Sequence, residues 1–238
     1  MFSIDTNIVL GIVNPHDRLH KKSIEVIHDE IKENKLILFN FVVTESQTTF
    51  SKKYNTSLAK VFKMFTEVDR MTPDKMERIH LFWDKFRELK QENHNLLNFM
   101  NLIYDKITPF VTKWDIFGAY RMLSAYELIA SNNIQKILCE EAENKIEFFA
   151  AMLKINKNIL NEMETIKSSI TSQNVKFNDE GDESIFIEVV LYSIHEKEAL
   201  KFYSNDKEFM NKSNIVFNKI SEDTNRSHTK IDFILLKS

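Results

Sequence analysis

Met1-Phe-Ser-Ile-Asp-Thr-Asn-Ile-Val-Leu-Gly11 opens the chain, and its reading decides the fold. Phe2, Ser3 and Ile4 have the character of a short strand that runs straight into an acid, Asp5. Asp5-Thr6-Asn7 then caps an apolar helical turn over residues 8–13, broken near Asn14-Pro15. An acid at the end of the first strand of an α/β sheet stands at the carboxyl edge, where such sheets bind ligands. Working outward, apolar residues recur at helical spacing from 16 to 32. A continuous apolar run follows, Leu36-Ile-Leu-Phe-Asn-Phe-Val-Val43, of the kind a strand buried on both faces requires. The pattern predicts one βαβ unit, with the second strand over 36–43 delivering Thr44 and Glu45.

Composition agrees with a helix-rich globular chain. The 238 residues include three glycines and three prolines, where average usage gives roughly sixteen and roughly a dozen. Tight turns need those residues, so few turns and long helices are expected. The single cysteine, Cys139, excludes an internal disulfide and a cysteine-based zinc site and fits a reducing cytoplasm. Neither a signal peptide nor a run of eighteen apolar residues is visible, so a cytoplasmic protein without a membrane span is expected. A net charge of −3 gives no bulk attraction for nucleic acid.

From residue 51 to about 175 the periodicity predicts helix after helix with no strand. One helix spans 134–160, and Pro109 and Asn132-Asn133 mark breaks. Trp83 and Trp114 read as helix-packing residues. Near Asn178 the α/β alternation returns: an acidic loop over 178–184, a helix over 185–194, and a third strand over 199–203 that ends in Ser204-Asn205-Asp206. Two more strands are predicted over 215–220 and 231–236, joined by a polar linker over 221–230.

Four acids now occupy equivalent places. Asp5 and Glu45 follow the first two strands, Asp182 opens a helix, and Asp206 follows the third strand. In a parallel sheet those points converge on one edge. Clustered carboxylates repel one another unless they take up protons or a cation neutralises them. Hard oxygen donors suit Mg²⁺ or Mn²⁺.

Ile4-Asp5-Thr6-Asn7, Val43-Thr44-Glu45, Asp182-Glu183-Ser184-Ile185 and Ser204-Asn205-Asp206-Lys207-Glu208-Phe209, in this order, resemble the motifs of the PIN-domain nucleases. The resemblance covers residues 1–50 and 176–238. It implies a three-layer α/β/α core with a central parallel sheet and metal-dependent endoribonuclease activity on RNA. Asp5, Glu45, Asp182 and Asp206 would then be the catalytic, metal-binding acids, with Asn7 and Ser204 as polar supports. Asp182 precedes Asp206 by 24 residues, more than the family pattern has, which leaves Asp179, Glu183 and Glu188 as alternatives for the third acid. Residues 51–175 would form an all-helical insertion, a cap or a partner-binding module.

That block carries a slight excess of Lys and Arg, whereas the remainder is acidic. Lys52, Lys53, Lys60 and Lys63 make its clearest basic patch and are expected to meet an RNA backbone. A second reading keeps the same fold but makes it an RNA- or protein-binding scaffold with weak or lost cleavage. An inhibitory or scaffold protein partner and a homo-oligomer belong to the same set of expectations. Zinc hydrolysis lacks its His-Glu-x-x-His, and no Gly-rich phosphate loop exists for nucleoside triphosphates.

Overall fold

Phe2, Ser3 and Ile4 are fully buried and form β1 (Phe2–Ile4), the central strand of a five-stranded, all-parallel sheet. The structure is a computed structural model that describes residues 1–150, 157–224 and 230–236. On one side β1 pairs with β2 (Leu36–Phe39), Phe2 opposite Leu36. On the other it pairs with β4 (Leu200–Ser204), Phe2 opposite Lys201 and Ile4 opposite Tyr203. The edges are β3 (Ile146–Phe149) beside β2 and β5 (Ile231–Leu235) beside β4, so the order is β3-β2-β1-β4-β5. The fold class is α/β, as read from the sequence.

Parallel neighbours need crossovers, and these are helical. α1 (Thr6–Val13) and α2 (His20–Glu30) join β1 to β2. α3 (Asn40–Met71), α4 (Lys75–Glu92), α5 (Leu97–Val111), α6 (Ile116–Asn132) and α7 (Ile134–Glu141) join β2 to β3. α8 (Lys157–Ser172) and α9 (Glu180–Glu196) precede β4, and α10 (Lys207–Thr224) joins β4 to β5. Parallel crossovers are right-handed almost without exception, which sends the first seven helices and the last three to opposite faces. The packing follows that division: α1 lies against α2, α3 and α7, while α8, α9 and α10 lie against one another. No described helix is long and apolar enough to cross a membrane.

Several predicted elements are corrected. The apolar run 36–43 is strand only to Phe39; α3 starts at Asn40. An uninterrupted apolar run does not separate buried strand from buried helix. Here the Glu188 carboxylate accepts the backbone N–H of Phe41 at 3.0 Å, capping a helix where a ladder bond would be needed for a strand. Residues 51–175 are not all helix, because β3 lies within them; α7 ends and the chain reverses through Glu143 and Asn144, both at positive φ. α3 also runs unbroken across residues 50 and 51. Residues 215–220 lie in α10, not in a strand: Phe209, Met210, Ser213, Val216, Phe217 and Ile220 are buried at helical spacing. Pro109 sits in the last turn of α5 and does not end it. The predicted helix 134–160 stops at Glu141, with β3 in its remainder and residues 151–156 outside the described residues. Of the predicted linker, residues 221–224 lie in α10 and residues 225–229 are outside the described residues.

Among the expectations that hold, Trp114 packs edge-on to Phe65 at 5.4 Å between ring centroids and donates its indole N–H to Asp69, while Trp83 packs on Phe82 and Tyr104. Phe39 joins three elements. Fully buried on β2, it meets Phe149 of β3 and Tyr192 of α9 edge-on at 5.8 and 5.7 Å. Phe39→Ala should cost about 3–5 kcal/mol, read as a lower urea midpoint with an unchanged denaturant slope.

Candidate functional site

The strand order sets the site. From β1 the chain steps outward through β2 to β3, and then returns to the other side of β1 through β4 to β5. The crevice between β1 and β4 is thus the topological switch point, where open α/β sheets bind ligands at the carboxyl ends of their strands. Asp5 follows β1 directly, and Ser204 is the last residue of β4.

Asp5 is 5% exposed and caps α1, its Oδ1 accepting the N–H of Thr6 at 2.7 Å. Ser204 Oγ donates to Asp5 Oδ2 at 2.6 Å and accepts the Asp206 N–H at 3.0 Å. Thr6 Oγ1 donates to Glu45 Oε2 at 2.6 Å, tying α1 to the second turn of α3. Asp206 Oδ1 accepts the N–H groups of Glu208 and Phe209 at 2.8 and 2.9 Å and so caps α10. The first turn of α9 closes the ring. Asp179 caps it through the Asp182 N–H at 2.9 Å. A methyl at Gly181 would stand 3.1 Å from Asp179 Oδ1 and 3.4 Å from Glu45 Oε1, so that turn lies directly against the Glu45 carboxylate.

Burial pushes the Asp5 carboxyl up to about 6; hydrogen bonds from Ser204 and Thr6 oppose the rise, and the charges of Glu45 and Asp206 add to it. Burial also raises Asp182 to about 7, with repulsion from Asp179, Asp5, Asp206 and Glu45 behind it. The four acids read from the sequence therefore act on one another through space. None of them takes part in a described ion pair with Lys, Arg or His.

Hard oxygen donors and unneutralised repulsion fit a divalent cation. As the side chains are placed, however, no three His, Cys, Asp or Glu groups among the described residues close on a single ion. The hydroxyls of Thr6 and Ser204 occupy carboxylate oxygens instead.

The other expected residues divide. Ser204 supports Asp5, whereas Asn7 is exposed one residue into α1. Among the alternatives for the third acid, Glu188 is buried and holds the start of α3, and Asp179 is the α9 cap. Lys52 and Lys53 lie about 10–12 Å along α3 from Glu45, but Lys60 and Lys63 lie about 22–27 Å away. The latter pair lines a separate concavity of about 450 Å³ with Lys85 and Glu88. Sequence reading missed Thr6 as the support of Glu45; its place between two named residues, Asp5 and Asn7, was the available signal. Asp179 carried a signal too, as an acid three residues before Asp182 at a helix start.

Compared with protein-family models, curated proteins and solved structures, the chain matches none of them significantly.

Asp5 titrates near 6 when folded against an ordinary 3.8. Between those values the native chain holds a proton that the unfolded chain has released, so its contribution to stability falls as pH rises. The Asp182 contribution falls over a window reaching about 7. Asp5→Asn should therefore gain on the wild type by up to about 3 kcal/mol between pH 4 and 7. Urea denaturation at each pH checks this, and a difference that does not change with pH would contradict a buried charge at Asp5.

Proposed function

We propose that the chain is a metal-dependent endoribonuclease with a PIN-like core, working at the β1/β4 switch point. The observation that carries this reading is the gathering of Asp5, Glu45, Asp182 and Asp206, from four separate stretches of sequence, around one crevice with no described cation paired to them. Residues 51–175 act in this reading as an elaboration that extends the substrate surface. A cytoplasmic setting belongs to the same reading.

Asp5, Glu45, Asp182 and Asp206 would hold Mg²⁺ or Mn²⁺. The bound ion would supply water activation and charge neutralisation at the phosphodiester. Ser204 and the Thr6 N–H orient both oxygens of Asp5, and a side-chain shift would bring this carboxylate together with the other acids on an ion. Thr6 Oγ1 aims Glu45 from the same residue. Repulsion from Asp179, Asp5, Asp206 and Glu45, which helps to raise Asp182, is the repulsion a bound cation would relieve. Lys52 shares roughly the same face of α3 as Glu45, seven residues on, which offers the RNA backbone a cation leading away from the acids.

A protein-binding role is the second reading. It draws on α6, where Phe117, Tyr120 and Leu128 recur at helical spacing and are exposed.

Incubated with RNA and Mn²⁺ or Mg²⁺, the chain should cleave, and EDTA should stop it. Asp5→Asn and Asp206→Asn should each lower the rate by at least about a hundredfold, the scale on which lost charge-stabilising groups act. Cleavage that survives chelation and both substitutions sinks the proposal. Replacing Lys52 and Lys53 with Ala should weaken RNA binding and flatten its logarithmic salt dependence by about 1.4, two single-strand phosphate contacts.

A further inference from the structure

A second concavity, of about 450 Å³, opens beside the acids between the start of α3 and helices α8 and α9. Its floor is apolar: Phe41, Met163 and Ile187. Lys167, Glu180, Glu183 and Ser184 stand on its rim, and Glu188 completes the lining. Phe41 is half-buried and lies one helical turn before Glu45 on α3, which places their Cβ atoms about 6 Å apart on neighbouring faces. Glu183 follows Asp182 directly, and the Gly181 turn rests on the Glu45 carboxylate. The concavity and the acid cluster thus share one wall.

The start of α3 is held firmly. Glu188, 1% exposed, accepts the Phe41 N–H at 3.0 Å, so the ring sits on an anchored backbone. Ser184 Oγ donates to the Glu180 carbonyl at 2.7 Å and Glu188 accepts the Phe41 N–H, so the Glu180 and Glu183 carboxylates and the Lys167 ammonium are the polar groups on the open side of the lining.

We infer that this concavity receives an RNA base adjacent to the cleaved phosphodiester, stacked on Phe41 and read by Glu183 through amino or imino hydrogens. The inference rests on the nuclease reading of the neighbouring acids. A splayed base needs a flat apolar partner and a polar edge contact, which is how single-stranded RNA is read. A carboxylate accepts only, so it favours guanine, whose N1–H and N2 amino group donate side by side, over uracil, which presents a single N3–H between two carbonyl acceptors. Lys167 is the cation available to the phosphate of that nucleotide. The volume lies within the roughly 300–1,000 Å³ of small-ligand sites.

The test uses the full-length chain carrying Asp5→Asn, so that RNA is bound without being cut, and labelled RNA pentamers followed by fluorescence anisotropy. Removing one base to leave an abasic position should weaken binding about tenfold, the scale of one lost stacking contact. Phe41→Ala should erase that difference. Phe41→Leu, which keeps the apolar volume and guards against a folding defect, should erase it as well. Glu183→Gln should abolish the preference for guanine over inosine and over uracil. Equal binding of abasic and complete pentamers, or an unchanged difference in Phe41→Leu, overturns the inference. Capture of an apolar peptide in the concavity without any base preference does the same. Cleavage assays on the chain with Asp5 intact separate the two ideas: cutting with no Phe41-dependent selectivity removes the base site alone, and selectivity without cutting removes the nuclease reading alone.

Discussion

A nearly inaccessible carboxylate, Asp5, is the constraint on which the rest of the site depends. A charge taken out of water must find hydrogen-bond donors, a counter-ion or a proton. Asp5 has two donors, the Thr6 N–H and the Ser204 hydroxyl, and its pKa still rises to about 6. Those donors come from α1 and from β4, so satisfying one carboxylate ties the central strand to its neighbour. The same polar chain reaches further: Ser204 accepts from Asp206 N–H, and Thr6 donates to Glu45. Acids from three separate stretches of the sequence are thereby held in one register.

α3 extends that register into the helical block. It begins at the Glu188 carboxylate, presents Phe41 and Glu45 within its first two turns, and then continues to Met71 against α4, α5 and α6. An anion at a helix N-terminus is favourable because unpaired N–H groups point toward it. The helical block is therefore coupled to the site by a continuous rod and not by a hinge. Glu45 and Lys52, seven residues apart, lie on one side of it.

Much of the fold was legible in the residues themselves. The strands β1, β4 and β5 declared themselves through apolar runs ending at polar residues, and scarce glycine and proline pointed to long helices. Other elements carried ambiguous signals. Phe41, Val42 and Val43 continue an apolar run that suits strand or helix, and Glu188, 147 residues away, settles it. Ile215, Val216 and Phe217 invite a strand locally, yet Phe209, Met210, Ser213 and Ile220 complete a buried helical stripe. Ile146 to Phe149 is four residues long, and its ladder partner is β2, more than a hundred residues earlier. Nothing in its own neighbourhood marks it as an edge strand.

Taken alone, the sequence determined the class of the fold, the acids at strand and helix ends, and the absence of an internal disulfide and of a Gly-rich phosphate loop. These follow from local chemistry: which residues bury, which cap, which turn. Only the tertiary structure decided that β1 and β4 are neighbours across the switch point, and that Thr6 supports Glu45. It also decided that Lys60 and Lys63 lie far from the acids, and that Phe41 and Glu183 border one concavity. Those relations depend on parallel pairing between distant strands and on the direction each helix leaves the sheet, and pairing energy is realised only when the whole chain has closed.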